Sequence, residues 1–322
     1  MTKNAVKKIL VTFLGTANYA ETCYQLNEGE HRTRYTSVAI ANLCEVSHVE
    51  VLATEEAKEK HGDELKKELD AQGIDCKLIP IPSGSTEKEQ WNLFIIMHQT
   101  MKRNDVQVVV DITSGFRVQP FFVSSVISML RATEQGCHDL QLLYGEYHRD
   151  KVISPIWDLT LFIELQDWVQ ALTVFLKTGH ADGLNALSST QDINLRKEHF
   201  KSGGKLASKP KTEKLVNALR VFADDLNTVR VAAMLIGYHD DKNVISSSQR
   251  VLDAIEECRE DIQRLMPPLG GILGDLKTML LPLPTTTLSG TEGHASLLAL
   301  AKLYQGFGRY AEAATVVREG YI

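Results

Sequence analysis

Two hydrophobic periods alternate along the first half of the chain. Ile9-Leu10-Val11-Thr12-Phe13-Leu14 is a short, nearly unbroken apolar run ending at Gly15, the pattern of a parallel strand covered on both faces. Thr36–Cys44 carries apolar residues at helical spacing, and Val49–Ala53 reads as the next strand. Thr54 is placed to cap a helix with Glu55 and Glu56 in its first turn, where carboxylates favour the positive end of the dipole; that helix is predicted to reach Ala71. Cys76–Ile81 reads as a strand, stopped by Pro80 and Pro82, and Ser85 opens a helix that continues through Trp91–Met101. Val106–Val110 is a β-branched run with Gln107 as its one polar member. Asp111–Arg117 then reads as a turn, Val118–Ala132 as a buried helix, and Leu140–Tyr144 and Lys151–Ser154 as closing strands.

From Leu159 onward the period is helical throughout. Leu161, Ile163, Leu165, Trp168, Val169, Leu172 and Phe175 form an apolar stripe, and Gly179 is a suitable stop. Lys214–Met234, Val251–Met266, Ala295–Tyr304 and Tyr310–Ile322 are further helices; Pro267-Pro268 and Leu281–Pro284 are breaks. The fold class read from this pattern is α/β: a Rossmann-like parallel sheet over residues 1–157, then an all-α region over 158–322, joined at Pro155–Asp158.

Composition narrows the class. The 322 residues are 43% hydrophobic and carry a formal net charge of −6, which suits a globular core and argues against a dedicated duplex-DNA binder. Cys23, Cys44, Cys76, Cys137 and Cys258 are scattered, odd in number and without a C-x-x-C pair, as expected of a cytoplasmic protein in a reducing compartment. Neither a signal peptide nor a membrane span is expected, and no metal motif is found.

In parallel sheets, ligands bind beyond the carboxyl ends of the strands. Two loops expected there carry unusual residues. Gly15-Thr16-Ala17-Asn18-Tyr19 has a single glycine, so it fails the G-x-G-x-x-G fingerprint of dinucleotide enzymes. It fits either a polar contact loop or an ordinary strand-to-helix turn. Thr113-Ser114-Gly115-Phe116-Arg117 follows the β-branched strand and its Asp111. Amides at a helix start favour an anion, Gly115 permits close backbone approach, and Arg117 can pair with a phosphate or with Asp111. The ligand-binding residues expected are Gly15, Thr16, Asn18, Tyr19, Thr113, Ser114, Gly115, Phe116 and Arg117. No catalytic residue can be named. Arg196–Lys214, with seven Lys/Arg against two Glu, reads as a solvated loop or an RNA contact. His98 reads as a core or half-buried histidine, and His148, beside Glu146, as part of a surface turn or a site residue.

The segments "ILVTFLGTANY", "RYTSVAIANL", "VEVLATEEA", "IPIPSGSTEKEQW" and above all "VVVDITSGFRVQP" resemble the CARF domain of type III CRISPR ancillary proteins. The usual family motif is D-x-T-H-G-F-R. This chain keeps Asp111, Thr113, Gly115, Phe116 and Arg117 and has Ser114 where His is usual. The resemblance implies a sensor of a cyclic oligoadenylate, tetra- or hexa-adenylate, bound across a CARF homodimer and controlling an effector domain. No cofactor is implied. Some family members slowly cleave the ring in this site, so a ring nuclease is the alternative; without the imidazole, acid–base cleavage loses its usual group. A transcriptional regulator would need a helix-turn-helix and a basic face, and neither is visible.

"ISPIWDLTLFIELQDWVQALTVFLKTGHADGLNAL" and "LALAKLYQGFGRYAEAATVVREGYI" resemble the HEPN-type helical region that comes after CARF in this family, with RNA as its partner. HEPN ribonucleases carry R-x(4–6)-H. Over every His of the chain no pair is read as fitting: Arg196 to His199 is too short and Arg230 to His239 too long. The expectation is therefore a chain without the motif. Either the helical region is incomplete at Ile322 and an active ribonuclease requires a catalytic module past that residue, or the region is a degenerate scaffold.

Overall fold

The computed structural model describes residues 7–104, 106–133, 135–137, 139–147, 152–184, 187, 212–237 and 245–319. The apolar runs of the first half lie side by side in one eight-stranded sheet: β1 (Lys8–Leu14), β2 (Thr22–Leu26), β3 (Gly29–Thr33), β4 (His48–Ala53), β5 (Asp75–Pro80), β6 (Gln107–Asp111), β7 (Leu140–Gly145) and β8 (Ile153–Asp158). Their order is β3-β2-β8-β7-β6-β1-β4-β5. The five strands β5, β4, β1, β6 and β7 pair in parallel, β2 also runs parallel to β8, and β8 is antiparallel to β7 and β3 to β2.

Both faces of the central strands are covered, as their unbroken apolar runs require. Leu10 and Leu14 of β1 pack with α1 (Thr36–Leu43) and with Leu65 and Leu69 on one face. Ile9, Val11 and Phe13 pack with α4 (Glu87–Met101) and α5 (Gln119–Ala132) on the other. The connection from β4 to β5 begins as α2 (Glu55–Ala57), widens into a π turn over Lys58–Gly62 and continues as α3 (Asp63–Asp70). Thr54 caps it, its hydroxyl accepting from Ala57 N at 3.3 Å. After β1 the chain crosses to the β2–β3 hairpin at the far edge and returns to β4 and β5 beside β1; β6 lies on β1's other side. The crevice at the switch point therefore opens between the loops after β1 and β6.

The structure corrects four sequence-based expectations. The hairpin of β2 and β3 was not expected; its two-residue loop has Asn27 at φ 54°, and only alternate positions of β2 are buried, a weak signal next to the central runs. The last strand is Ile153–Asp158, not Lys151–Ser154, so Pro155–Asp158 is part of the sheet rather than a linker. Lys214–Met234 is two helices, Thr212–Asn227 and Val231–Leu235, parted where Val229 adopts φ 52°. Leu269–Leu280 is an additional helix. Its Gly270, Gly271 and Gly274 disfavour helix locally, and burial of Leu269, Leu273, Leu276 and Leu280 along one face offsets that.

The chain divides into two compact units, Met1–Ile163 and Glu164–Ile322, with the division inside helix α6 (Thr160–Thr178). Gly179, at φ 74°, stops α6 as expected. The described part of the second unit is helical, around a core that includes Trp168, Phe175, Phe222 and Tyr304. Among the described residues no helix is long and apolar enough to cross a membrane.

Candidate functional site

Thr12 and Asp111 lie at the ends of neighbouring parallel strands, and both side chains are buried. Thr12 Oγ1 donates to Asp111 Oδ2 at 2.8 Å. The other carboxylate oxygen accepts from Thr113 N at 2.9 Å and Thr113 Oγ1 at 2.5 Å. Thr113 Oγ1 in turn accepts from Gly145 N at 2.7 Å, tying the loop to the end of β7. Burial pushes the Asp111 carboxyl above the usual carboxylate range, against the pull of these hydrogen bonds.

Asp111 is engaged by Thr12 and Thr113 and does not serve Arg117. The Arg117 side chain is exposed and has no hydrogen-bond or ion-pair partner among the described residues. The structural Asp111–Arg117 pair left open by the sequence is therefore absent. Gly115 adopts φ 115°, and a Cβ there would collide with Gln119 Oε1 and approach Phe13 Cβ to 3.1 Å. Gln119, only 1% exposed, reaches back to accept from Phe116 N at 3.0 Å, half of a capping box. The helix begins at Gln119 rather than Val118.

The two loops meet. A Cβ on Gly15 would lie 3.4 Å from Gly115 N, so the two backbones run within side-chain contact distance of each other. Tyr19 folds back over its own loop, its hydroxyl accepting from Gly15 N at 2.8 Å. Its ring packs against Tyr35 at 5.2 Å and His61 at 4.9 Å. Asn18 is exposed, Thr16 and Ser114 are half-buried, and Phe116 is 44% exposed. All nine sequence-predicted residues thus stand on the two loops that border one crevice. A phosphate or other anion arriving there would meet the free guanidinium of Arg117; the amides of Phe116, Gln119 and Phe121 are already bonded, and Pro120 has none.

Sequence reasoning missed Thr12, Gln119, Gly145, Lys60 and His61. Gln119 was findable, because a Gln three residues past Phe116 is half of a helix-start signature. Gly145 was not: a Cβ there would strike Thr36 Cγ2, a contact between distant segments. Of the secondary candidates, His98 is half-buried on α4 with Nε2 lacking a partner among the described residues. His148 and most of Arg196–Lys214 lie outside the described residues. The expected absence of R-x(4–6)-H needs one correction. The spacing does occur once, at Arg131 and His138, but in the first unit. Arg131 lies in the last turn of α5, its Nε donating to the Cys137 carbonyl at 2.9 Å; His138 lies outside the described residues. No such pair stands in the helical half.

No curated protein matches the chain. Residues 9–137 match the family model described as CRISPR system endoribonuclease Csx1, CARF domain. That span runs from β1 through α5 and contains both loops of the crevice. With the Rossmann-like sheet, and with the D-x-T-x-G-F-R loop inside the matched span, residues 9–137 are a CARF domain, which makes the chain a CRISPR-associated CARF-domain protein.

Proposed function

We propose that this protein senses a cyclic oligoadenylate, tetra- or hexa-adenylate, in type III CRISPR antiviral defence. The ring lies across a homodimer of the CARF domain, and its binding controls the helical unit that α6 leads into, a HEPN-like effector region. The observation that carries this reading is the junction of the two loops at the switch point, with Arg117 free and its neighbours already satisfied. A symmetric ring is matched by a two-fold pair of identical crevices. An apolar face supports the pairing. Trp91 and Ile95 of α4 and Phe121 of α5 are 61%, 49% and 70% exposed. The rings of Trp91, Phe94, Phe122 and Phe121 run in one chain of contacts. A contiguous exposed patch of this kind marks a protein contact, and it begins within the first turn after Arg117.

Calorimetric titration of the chain with cyclic tetra- and hexa-adenylate, paired with sedimentation, tests the reading. Saturable binding at one ring per two chains is expected. Absence of binding to both rings would overturn it. Little RNA cleavage by this chain is expected, since the helical half holds no Arg–His pair at HEPN spacing; robust metal-independent cleavage would refute that part.

A further inference from the structure

The π turn Lys58–Gly62 brings a third element to the crevice. A π turn closes its hydrogen bond one residue later than an α turn, occurs mostly as a single turn inside a helix and is frequent at functional sites. Here it delivers two consecutive side chains to the loop after β1. Lys60 Nζ donates to the Thr16 carbonyl at 2.6 Å, and His61 Nε2 lies 2.9 Å from the Ala17 carbonyl. A carbonyl can only accept, so His61 Nε2 carries its proton there. The His61 ring also stands edge-on to Tyr19.

The two side chains differ in what remains unsatisfied. His61 makes its bond to the Ala17 carbonyl and a ring contact with Tyr19, and both hold the loop. Lys60 uses one of its three N–H donors on the carbonyl, and its positive charge is not neutralised. Neighbouring cations are: Lys58 pairs with Glu55 at 3.0 Å and Arg34 with Glu64 at 2.9 Å. Lys60 is exposed and has no carboxylate within 4.0 Å among the described residues. It shares that condition with Arg117. The strand order β6-β1-β4 puts them on opposite sides of the β1 loop, Arg117 after β6 and Lys60 in the connection after β4.

We propose that Lys60 is a second phosphate-binding residue of the ligand site, facing Arg117 across the Gly15–Tyr19 loop. The inference rests on the sensor reading above and deepens it. A cyclic oligoadenylate has one phosphodiester per nucleotide. In a two-fold complex each protomer faces half of them, two in the tetra-adenylate. Arg117 serves one and Lys60 the other, so the charge count of the crevice matches the four-membered ring. The hexa-adenylate would leave one phosphodiester per protomer without a cation. Lys60 is exposed and flexible, so turning its ammonium from the Thr16 carbonyl to a phosphate replaces a neutral acceptor with a charged one, the stronger partner.

The test is titration of the full chain and of Lys60→Gln and Lys60→Arg with cyclic tetra-adenylate over a salt series, with melting curves for each. Lys60→Gln is expected to weaken binding about ten- to a hundredfold. It is also expected to flatten the decline of log affinity with log salt, because fewer counterions are exchanged; Lys60→Arg restores both. If Lys60 only braced the loop, affinity and melting temperature would fall together while the salt slope stayed unchanged, and that result overturns the inference. Wild-type affinity and slope in Lys60→Gln overturn it as well, leaving the sensor reading intact. A wild-type chain that binds neither ring brings down the sensor reading and this inference with it.

Discussion

The loops after β6 and β1 border the same crevice and are held in opposite ways. The Thr113–Arg117 loop is held from beneath by buried groups: Asp111 takes three hydrogen bonds, Thr113 links on to β7, and Gln119 closes the turn at Phe116. The Gly15–Tyr19 loop is held from its flank by side chains of the π turn and by the hydroxyl of its own Tyr19. Buried hydrogen bonds have no water to replace them and are expensive to break, while exposed ones exchange with solvent at little net cost. One loop is a platform resting on buried groups; the other is an arm resting on the exposed bonds of Lys60 and His61. Under the proposed function, a site that recognises a ring and reports its arrival draws on both kinds.

The sharpest way to break this comparison is to remove the platform's support. Asp111→Ala strands the Thr113 amide and leaves a void, so it is expected to cost about 2–4 kcal/mol in denaturant unfolding and to abolish ring binding. A loss below 1 kcal/mol (about the value of one exposed bond) would erase the distinction between platform and arm. The pH dependence sharpens the same point. Burial raises the Asp111 pKa in the folded state above its unfolded value, so the folded state holds the extra proton between the two. Stability from this group is full below the unfolded pKa, about 4, and declines as pH rises through the folded one. Asp111→Asn is expected to remove that component of the pH profile.

Gly115→Ala comes next. It forces a side chain into φ 115° and into Gln119, at a cost of about 1–3 kcal/mol, read as a lower melting temperature together with weaker binding. Arg117→Ala should separate the two readouts. With no partner to lose, the melting temperature is expected to stay at the wild-type value, while ring affinity falls about ten- to a hundredfold. A large drop in melting temperature with unchanged affinity would eliminate Arg117 as a ligand residue. The smallest effect is expected from Tyr19→Phe, which frees the Gly15 amide: about 0.5–1 kcal/mol in stability. If it destabilised as much as Asp111→Ala, the arm would be as rigid as the platform.

The platform was legible in the sequence because its parts are contiguous. A β-branched run, an Asp, a Thr, a Gly and an Arg within one turn state a strand end, a buried anchor and a free cation in order. The arm was only half legible. Gly15 to Tyr19 stood out as polar after an apolar strand, but nothing in "KEKHG" marks Lys60 and His61 as its supports. That pattern reads as one more charged helix surface, and the π turn that re-aims them has no local signal. The hairpin of β2 and β3 was missed for a related reason: β3, at the edge of the sheet, buries one residue of five, and β2 buries only alternate positions, so the pattern is faint.

What the sequence determined by itself is the set of central strands and covering helices, the resemblance carried by Asp111–Arg117, and the two loops, because hydrophobic period and turn chemistry act over a few residues. The tertiary structure decided which of these segments became neighbours. It paired Thr12 with Asp111 across ninety-nine positions of chain, left Arg117 without a carboxylate, and set Gly15 against Gly115. It also aimed Lys60 and His61 at the β1 loop. Those choices depend on strand order and register, and energies of that kind arise only once distant segments pack together and exclude water.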